Sequence, residues 1–209
     1  MKLVLATRSG HKLNEIRAIL RGLPKLHLLD LNDVGVPPSP VEEEIEEFDS
    51  FEENAFAKVR YFEKLTGLPT LADDSGLVVD ALGGAPGVRS KRFAPSAAEF
   101  TGNERDRENV EHLLRELSEV PIVERTARYI CIAALVATAG EDPTIFTGTV
   151  EGLILGRGRG QGGFGYDPVF FDRSSGKTFA ELTPGEKNAI SHRGASFRAV
   201  ANHLSKADS

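Results

Sequence analysis

The chain is organised around the stretch Leu71-Ala-Asp-Asp-Ser-Gly-Leu-Val-Val-Asp-Ala-Leu-Gly-Gly-Ala-Pro-Gly87. The apolar approach from Leu68 to Ala72 is predicted to be a short strand that ends at the adjacent carboxylates Asp73 and Asp74. α/β proteins build sites from charged residues placed where a strand stops. Because neighbouring side chains of an extended backbone point to opposite faces, we expect one aspartate to face a site and the other to brace the turn. The alternative interpretation is an Asx-turn with a solvated aspartate pair.

Composition limits the classes of protein and of partner. The 209 residues are 40% hydrophobic and 27% charged, which is typical of a globular protein with a substantial core. The formal net charge of -6 disfavours a nucleic-acid polymer as partner. No apolar run reaches the roughly 18 residues of a membrane span, and the N-terminus lacks a cleavable apolar segment, so we expect a cytoplasmic protein without a membrane partner. The single cysteine, Cys131, lies in an apolar run and is interpreted as a buried, unreactive thiol.

A strand, a polar loop and a helix are predicted at the N-terminus. Lys2 to Ala6 is the strand, Thr7-Arg-Ser-Gly-His-Lys12 is the loop, and the apolar spacing that follows is helical. Free N–H groups and the helix dipole attract anions at such a junction, and Arg8 and Lys12 would add positive charge. The alternative is an ordinary strand-to-helix turn with solvated cations. The P-loop motif is absent.

An acidic run follows a stiff, proline-rich connector. Glu42-Glu-Glu-Ile-Glu-Glu47 is either a solvated face or the source of one carboxylate for a metal ion, since Mg²⁺ takes one or two carboxylates from protein. A capping box at Ser50 begins a helix that is predicted to end at Gly67. On this helix Asn54 and Lys58 share one face, so they either point together at a site beside the acidic run or are simply exposed.

Later segments predict a helix and a hairpin. The helix is expected from about Asn103 to Glu119. Arg125 to Ala139 and Thr144 to Leu155 are long and rich in β-branched and aromatic residues, which predicts an antiparallel hairpin.

The glycine loop, Gly156 to Gly163, precedes Phe164-Gly-Tyr-Asp167. Its glycines formally satisfy Gly-x-Gly-x-x-Gly, but an aromatic strand is predicted where a dinucleotide-binding motif requires a helix. Contact of the two arginines with RNA is a weaker alternative. The favoured interpretation is that the glycines let the backbone approach a flat ligand, with Phe164 or Tyr166 as a stacking surface beside Asp167.

A second capping box, Thr183-Pro-Gly-Glu186, begins another helix. It is predicted to present Lys187, His192 and Arg193 before Gly194 interrupts it. Three donors on one short helix fit a phosphate or a base edge. The alternative is a cationic helix end that serves the macrodipole.

Taken together, the motifs are much more specific than any one of them. The chain resembles the non-canonical purine nucleoside triphosphate pyrophosphatases, the family that includes inosine/xanthosine triphosphatase. Thr7 to Lys12 and Phe51 to Ala55 match the N-terminal motifs of that family. The other matching segments are Leu71-Ala-Asp-Asp-Ser-Gly-Leu77, Leu82-Gly-Gly-Ala-Pro-Gly87, Gly162-Gly-Phe-Gly-Tyr-Asp-Pro168 and Glu186-Lys-Asn-Ala-Ile-Ser-His-Arg-Gly194.

The resemblance implies a single α/β domain over residues 1–209, with two lobes around a central mixed β-sheet, flanking helices and an active-site cleft. It also implies a homodimer and a Mg²⁺-dependent hydrolase. The expected reaction converts the triphosphates of inosine, deoxyinosine and xanthosine (ITP, dITP and XTP) to the monophosphate and pyrophosphate, which cleanses the nucleotide pool.

The resemblance also implies roles for particular residues. Asp74 is the catalytic carboxylate and a metal ligand, Lys58 lies near the phosphates, and Glu46 is the other metal ligand, although Glu44 or Glu47 would be able to replace it in so acidic a run. Asp73 keeps a supporting role. The expected substrate-binding residues are Thr7, Arg8, Ser9, Gly10, His11, Lys12, Ser75, Phe164, Gly165, Tyr166, Asp167, Lys187, His192 and Arg193.

Two departures from the family pattern affect this assignment. The usual Thr-Gly-Asn reads Thr7-Arg8-Ser9, which alters the contacts expected of the phosphate loop. The usual Glu-Glu-Thr-Gly reads Ile45-Glu-Glu-Phe48.

Base choice is expected to depend on a donor for the 6-oxo group of hypoxanthine or xanthine, which adenine lacks. His192, Arg193 or a backbone N–H between Phe164 and Asp167 is the expected donor. The alternatives are a related pyrophosphatase for modified pyrimidines or another purine, and a nucleotide-binding regulatory module without turnover.

Overall fold

The computed structural model describes residues 1–207, apart from the side chains of residues 43 and 207. Within this range the strands are β1 (Lys2–Leu5), β2 (His27–Asp30), β3 (Thr70–Val79), β4 (Thr126–Val136), β5 (Thr144–Ile154), β6 (Phe170–Asp172) and β7 (Lys177–Thr178). The α-helices are α1 (Gly10–Leu20), α2 (Val41–Glu44), α3 (Phe51–Thr66), α4 (Gly102–Glu116), α5 (Pro184–Ile190) and α6 (His192–Ala207). Short 3-10 helices cover Asp80–Leu82, Gly87–Arg92, Ala97–Glu99, Ile122–Glu124 and Phe179–Glu181.

The strands form one mixed sheet in the order β2-β1-β3-β4-β5-β6-β7. β1 pairs in parallel with β2 and β3, whereas β6 pairs antiparallel with β5 and β7. The N–H of Ile154 donates to the carbonyl of Arg125 over 2.9 Å, which joins the end of β5 to the start of β4 as an antiparallel hairpin requires. The predicted α/β fold with a central mixed sheet and flanking helices is confirmed, and so is the hairpin.

The chain divides into two compact units. Unit 1 comprises Met1–Ser75, Cys131–Gly148 and His192–Ser209, and unit 2 comprises Gly76–Ile130 and Thr149–Ser191. The long strands β3, β4 and β5 therefore each contribute residues to both units.

Each unit has its own apolar core, built from the faces that the sequence pattern predicts. In unit 1 the apolar stripes of α1 and α6 pack with β1, and in unit 2 the stripe of α4 packs with the aromatic residues that follow the glycine loop. The core of unit 1 contains Leu3, Leu5, Ile16, Leu20, Leu71, Cys131, Ala133, Leu135, Phe197, Val200 and Leu204. The core of unit 2 contains Leu77, Val79, Leu113, Leu117, Ala127, Tyr129, Ile154, Tyr166, Val169, Phe170, Phe179 and Leu182.

Side-chain caps confirm two predicted helix starts. Ser50 Oγ accepts the N–H of Glu53 at 3.1 Å at the start of α3, and Thr183 Oγ1 accepts the N–H of Glu186 at 3.3 Å at the start of α5. These contacts satisfy N–H groups that have no partner inside the helix. α3 ends, as predicted, at Gly67, whose φ of 66° is the left-handed conformation that glycine adopts at low cost.

The prediction that a strand ends at the aspartate pair is wrong. β3 runs from Thr70 to Val79 and carries Asp73 and Asp74 in its middle. Leu71 belongs to the core of unit 1 and Leu77 to the core of unit 2, so apolar burial keeps the backbone extended on both sides of the pair. An Asx-turn at this pair is excluded by the same observation.

The prediction of one helix carrying Lys187, His192 and Arg193 is also wrong. α5 ends at Ile190, and Ser191 has an extended conformation with a ψ of 158°. A new helix, α6, begins at His192 and continues through Gly194 without interruption. Capping at Thr183 predicts where α5 starts, but the spacing of polar side chains does not reveal a break of one residue.

None of the helices in residues 1–207 combines the length and the apolar character that crossing a membrane requires.

Gly148 of β5 sets how closely α6 approaches the sheet within unit 1. A Cβ at this position would collide with the carbonyl oxygen of His192 and would lie 2.6 Å from the backbone nitrogen of Ser196. Both neighbours are main-chain atoms of α6, so they cannot move aside as a flexible side chain would. Glycine at 148 therefore fixes the position of the first turn of α6.

We expect Gly148→Ala to lower the free energy of unfolding by roughly 1–3 kcal/mol, the usual scale of an overpacked site. The measurement is urea denaturation followed by circular dichroism. Gly22→Ala in the same unit is the control, because an added Cβ there meets nothing within 4 Å. Equal unfolding free energies for the two variants would contradict this account.

Candidate active site

Asp73 is the centre of a buried charge cluster in unit 1. It is 1% exposed, and its Oδ2 lies 3.0 Å from Lys12 Nζ and 3.4 Å from Arg193 Nη2. Burial by itself would raise the pKa of Asp73, but the charges of Lys12, Arg193 and Lys58 outweigh burial and hold the pKa well below its ordinary value. Asp73 is therefore an ionised carboxylate that holds cations in place.

Arg193 is a second buried member of this cluster. Its Nη1 donates to Glu15 Oε2 at 2.6 Å and its Nη2 donates to Ser75 Oγ at 2.7 Å. Burial would lower the pKa of Arg193, but Asp73 and Glu15 raise it above the ordinary value. These contacts commit the guanidinium to groups of unit 1, and its role in reading the base stays a prediction. Sequence reasoning missed Glu15, the one acidic residue of α1, because no local pattern marks it as a partner of Arg193.

Cys131 lies against the same carboxylate, with its Sγ 3.9 Å from Asp73 Oδ2. Burial, and then the charge of Asp73, raise the pKa of the Cys131 thiol to about 12. The predicted burial of the thiol is confirmed, and the raised pKa disfavours the reactive thiolate form.

Asp74 has a different environment from its neighbour. It is partly exposed, its Oδ2 accepts from Asn54 Nδ2 at 3.1 Å, and its Oδ1 accepts from the N–H of Ser75 at 2.9 Å. The two donors orient the carboxylate while leaving it accessible to water. The expected division of roles between adjacent residues of an extended strand is therefore found, with Asp73 buried and Asp74 accessible.

Asn54 and Lys58 of α3 join the acidic segment, residues 41–48, to β3. Lys58 Nζ donates to the backbone carbonyl of Asp73 at 2.9 Å and forms an ion pair with Glu46. Asn54, which binds Asp74, also accepts from the N–H of Phe48 at 3.0 Å. Asn54 and Lys58 thus point together at a site beside the acidic segment, as one of the two interpretations predicted.

The carboxylates Glu46 and Asp74 fit the requirements of Mg²⁺ only in part. In the part of the chain that the structure describes, no group of three or more His, Cys, Asp or Glu side chains is arranged to hold a metal ion. Mg²⁺ usually takes one or two carboxylates and completes its octahedron with waters and substrate phosphates. Glu46 and Asp74 both contact side chains of α3, and this pair of carboxylates would suit an ion that binds together with a phosphorylated substrate. Glu44 and Glu47 are exposed, whereas Glu46 contacts Lys58.

The predicted phosphate loop is a tight strand-to-helix connection. Thr7 Oγ1 accepts the N–H of Ser9 at 3.2 Å, and Ser9 Oγ accepts the N–H of Lys12 at 3.4 Å. Gly10 and His11 are exposed on the first turn of α1. The Lys12 side chain extends from this turn to Asp73, and the binding of an anion at this end of α1 stays a prediction.

Arg8 has contacts that the sequence did not predict. Its Nε and Nη2 donate to the two carboxylate oxygens of Glu42 at 3.0 and 2.7 Å, and its Nη1 and Nη2 donate to the carbonyls of Val36 and Pro37, both at 2.9 Å. The expected role of Arg8 in holding the triphosphate stays a prediction, because every guanidinium nitrogen already has a protein acceptor.

In unit 2, Asp167 and Lys187 form a buried ion pair. They are 2% and 4% exposed, and Lys187 Nζ lies 2.5 Å from Asp167 Oδ2. The same oxygen accepts the N–H of Phe164 at 2.8 Å, and the ammonium lies 4.6 Å from the centroid of the Phe164 ring. One buried carboxylate therefore fixes both the cation and the aromatic ring.

The rest of this loop differs from the aromatic strand that was predicted. Residue 164 is a bend, residues 165–169 form turns, and strand β6 begins only at Phe170. The N–H of Gly165 donates to Asp106 Oδ2 at 2.8 Å, a contact with α4 that no sequence pattern signals. Tyr166 lies in the core, where burial raises the pKa of its hydroxyl, and this hydroxyl donates to the carbonyl of Ser90 at 2.8 Å. Phe164, which is partly exposed, is the better candidate for stacking.

A cavity of about 340 Å³ adjoins the glycine loop in unit 2. Phe164 and Gly165 line one side, and the first turns of α4 line the other. Its lining residues are Asn103, Asp106, Arg107, Val110, Gln161, Gly162, Gly163, Phe164, Gly165 and Pro168.

Arg159 of the glycine loop has a structural partner. It donates to Glu181 at 2.7 Å and lies 5.4 Å from the centroid of the Phe171 ring. The hydrogen bond from Arg159, together with the N–H of Thr178, lowers the pKa of Glu181 to about 2. An arginine engaged in this way favours a role in shaping the loop over contact with RNA.

The chain is similar to known proteins over nearly its whole length. A model of the family described as "Ham1 family" matches residues 3–203. A dITP/XTP pyrophosphatase of Geobacter sulfurreducens is 49% identical over 97% of this chain and 96% of its own length. A protein of the same name from Symbiobacterium thermophilum is 45% identical over 98% of this chain and 94% of its own length.

Solved structures give the same result. A HAM1 protein from Coxiella burnetii is 38% identical, covers 99% of both chains and superposes with a TM-score of 0.84. A nucleoside-triphosphatase, or dITP/XTP pyrophosphatase, from Mycobacterium abscessus is 40% identical, covers 98% of this chain and 99% of its own, and superposes with a TM-score of 0.70. The family match extends over nearly the whole sequence, and the chain therefore belongs to the Ham1 family.

Proposed function

We propose that this chain is a nucleoside triphosphate pyrophosphatase that hydrolyses ITP, dITP and XTP to the monophosphate and pyrophosphate. The observation that carries the proposal is an accessible, oriented carboxylate, Asp74, next to a buried one, Asp73, that holds lysines in place. The names of the relatives, which share nearly half of their residues with this chain, support the same substrate class.

The residues of unit 1 are proposed to act on the triphosphate. Lys12 and Lys58 supply positive charge, and the first turn of α1 supplies N–H groups for a phosphate oxygen. A bound Mg²⁺, for which Glu46 and Asp74 are the proposed ligands, would neutralise phosphate charge and fix in-line geometry.

Asp74 is proposed to accept the proton of the attacking water. The water oxygen forms a bond to the α-phosphorus while the bond from that phosphorus to the bridging oxygen breaks, so pyrophosphate leaves with the bonding electron pair. Asn54 and the N–H of Ser75 keep the carboxylate in one orientation, which a general base needs at the start of the reaction.

The residues of unit 2 are proposed to bind the base. Phe164 offers a ring for stacking, and Lys187 is a donor for the 6-oxo group of hypoxanthine or xanthine. The N–H groups of Phe164 and Gly165 already donate to Asp167 and Asp106, which makes these two amides weaker candidates. Adenine would place an amine against the ammonium, and two donors facing each other are unfavourable.

The broader expectations are not tested by these observations. The homodimer, the cytoplasmic location, the single-domain division of residues 1–209 and the active-site cleft between two lobes stay predictions. So does substrate binding by His192, which is buried at the start of α6.

The function itself is tested by measuring pyrophosphate release from a panel of triphosphates with and without Mg²⁺. We expect release from ITP, dITP and XTP that depends on Mg²⁺ and exceeds release from ATP and GTP. Preference for a modified pyrimidine triphosphate would identify a different pyrophosphatase. Binding without release would identify a regulatory module.

We expect Asp74→Asn to fold normally and to lose at least roughly a hundredfold in kcat, the usual scale for a lost general base. The fold should persist because an asparagine oxygen still accepts the N–H of Ser75. Asp142→Asn, at a side chain that is 99% exposed in the same unit, is the control and should keep full activity. Undiminished turnover of Asp74→Asn would refute the assignment.

The role of Lys187 is tested in a variant that removes both charges of the Asp167–Lys187 ion pair. Lys187→Met alone would strand the Asp167 carboxylate and destabilise the protein, so Asp167→Asn is combined with it. We expect the ratio of kcat/KM for ITP to that for ATP to fall about tenfold or more in the double variant. Lys177→Met, at an exposed lysine that pairs with Glu186 at 3.3 Å, is the control. An unchanged ratio would assign base choice to another group.

A further inference from the structure

The acidic segment, residues 41–48, has little structure of its own to hold it in place. α2 is a single turn of 4 residues, and its N-cap, Pro40, makes no side-chain hydrogen bond to it. A helix this short is far below the length that is stable in water by itself. The position of Glu46, two residues beyond α2, must therefore come from contacts with the rest of unit 1.

Glu46 itself forms an ion pair with Lys58, and two anchors hold the segment on either side of it. At the downstream end Asn54 accepts the N–H of Phe48 at 3.0 Å and donates to its carbonyl at 3.2 Å. At the upstream end Arg8 donates to both carboxylate oxygens of Glu42 and to the carbonyls of the connector before it. Glu46 lies between the two anchors.

The upstream anchor is strong by its geometry. A guanidinium that meets a carboxylate with two parallel hydrogen bonds forms the most directional kind of ion pair. The hydrogen bond and charge of Arg8 hold the pKa of Glu42 below its ordinary value, and Glu42 Oε1 also accepts the N–H of Ser39 at 3.2 Å. For Arg8 to bind a phosphate instead, it would have to release Glu42, Val36 and Pro37.

We propose that Arg8 is a positioning residue, which clamps the acidic segment to the loop before α1 so that Glu46 and Asp74 stay within reach of one divalent cation. The proposal rests on the proposed function, and it replaces the role in phosphate binding that the resemblance implied for Arg8. The clamp connects the loop at Thr7 to Ser9 with the segment that carries Glu46.

The test compares Arg8→Ala, Arg8→Lys and the control Arg17→Ala in the full chain. Arg17 is the matched control because it also forms an ion pair within unit 1, at 2.9 Å, but with Asp30, which lies outside the acidic segment. Three quantities are measured: amide hydrogen exchange of residues 41–48, the Mg²⁺ concentration for half-maximal pyrophosphate release from ITP, and KM for ITP at saturating Mg²⁺.

We expect Arg8→Ala to raise the half-maximal Mg²⁺ concentration about tenfold, the lower end of the effect of losing a group that orients a metal ligand. Exchange at residues 41–48 should quicken about tenfold as that segment opens locally, while KM for ITP changes less than about threefold. Arg8→Lys should fall between, because an ammonium lacks the planar fork. Arg17→Ala should leave all three quantities unchanged.

A double variant separates a clamp from a general loss of stability. Glu42→Ala should reproduce Arg8→Ala, and Arg8→Ala/Glu42→Ala should add little to either, because partners in one interaction are not additive. Unchanged exchange and Mg²⁺ dependence in Arg8→Ala, whatever its Tm, would overturn the proposal. A large rise in KM alone would overturn it in favour of phosphate binding. If the unaltered chain releases no pyrophosphate, the proposed function fails, but exchange at residues 41–48 still decides whether the clamp exists.

Discussion

A buried negative charge at Asp73 is the constraint on which the rest of the candidate site depends. A carboxylate withdrawn from water is costly unless cations and hydrogen bonds compensate it. Lys12 and Arg193 approach the carboxylate, and Lys58 binds its backbone carbonyl. These cations come from α1, α6 and α3, so one buried aspartate fixes side chains from separate parts of the chain.

The reactivity assigned to Asp74 follows from this arrangement. Because neighbouring residues of a strand face opposite ways, the charge that organises the cations and the charge that is proposed to take a proton occupy different environments. Asp74 accepts hydrogen bonds from amide groups of Asn54 and Ser75, whereas Asp73 contacts the charged groups of Lys12 and Arg193. Protonation of Asp73 would break its ion pairs, whereas protonation of Asp74 would not, so Asp74 is the better candidate for a general base.

The sequence predicted well what depends on local chemistry and poorly what depends on tertiary partners. Caps at Ser50 and Thr183, and the shared face of Asn54 and Lys58, follow from spacing within one helix, and the structure has them. The continuation of β3 past the aspartates depends on two separate cores, which no local pattern reveals. Glu15, Asp106 and Glu42 were missed as partners for the same reason, since each is an ordinary polar residue until the fold places Arg193, Gly165 or Arg8 beside it.

The two units use the same physical device. In unit 2 Asp167 holds Lys187 and the N–H of Phe164, as Asp73 holds Lys12 and Arg193 in unit 1. Removing one partner of a buried ion pair strands the other, and this typically costs more than the intact pair contributes. The cations that are proposed to contact substrate are therefore coupled to carboxylates for which no substrate contact is proposed. A change at Asp73 or Asp167 would alter the site without removing a group that meets the substrate. The geometry of the candidate site therefore depends as much on its buried acids as on the residues that are proposed to meet the nucleotide.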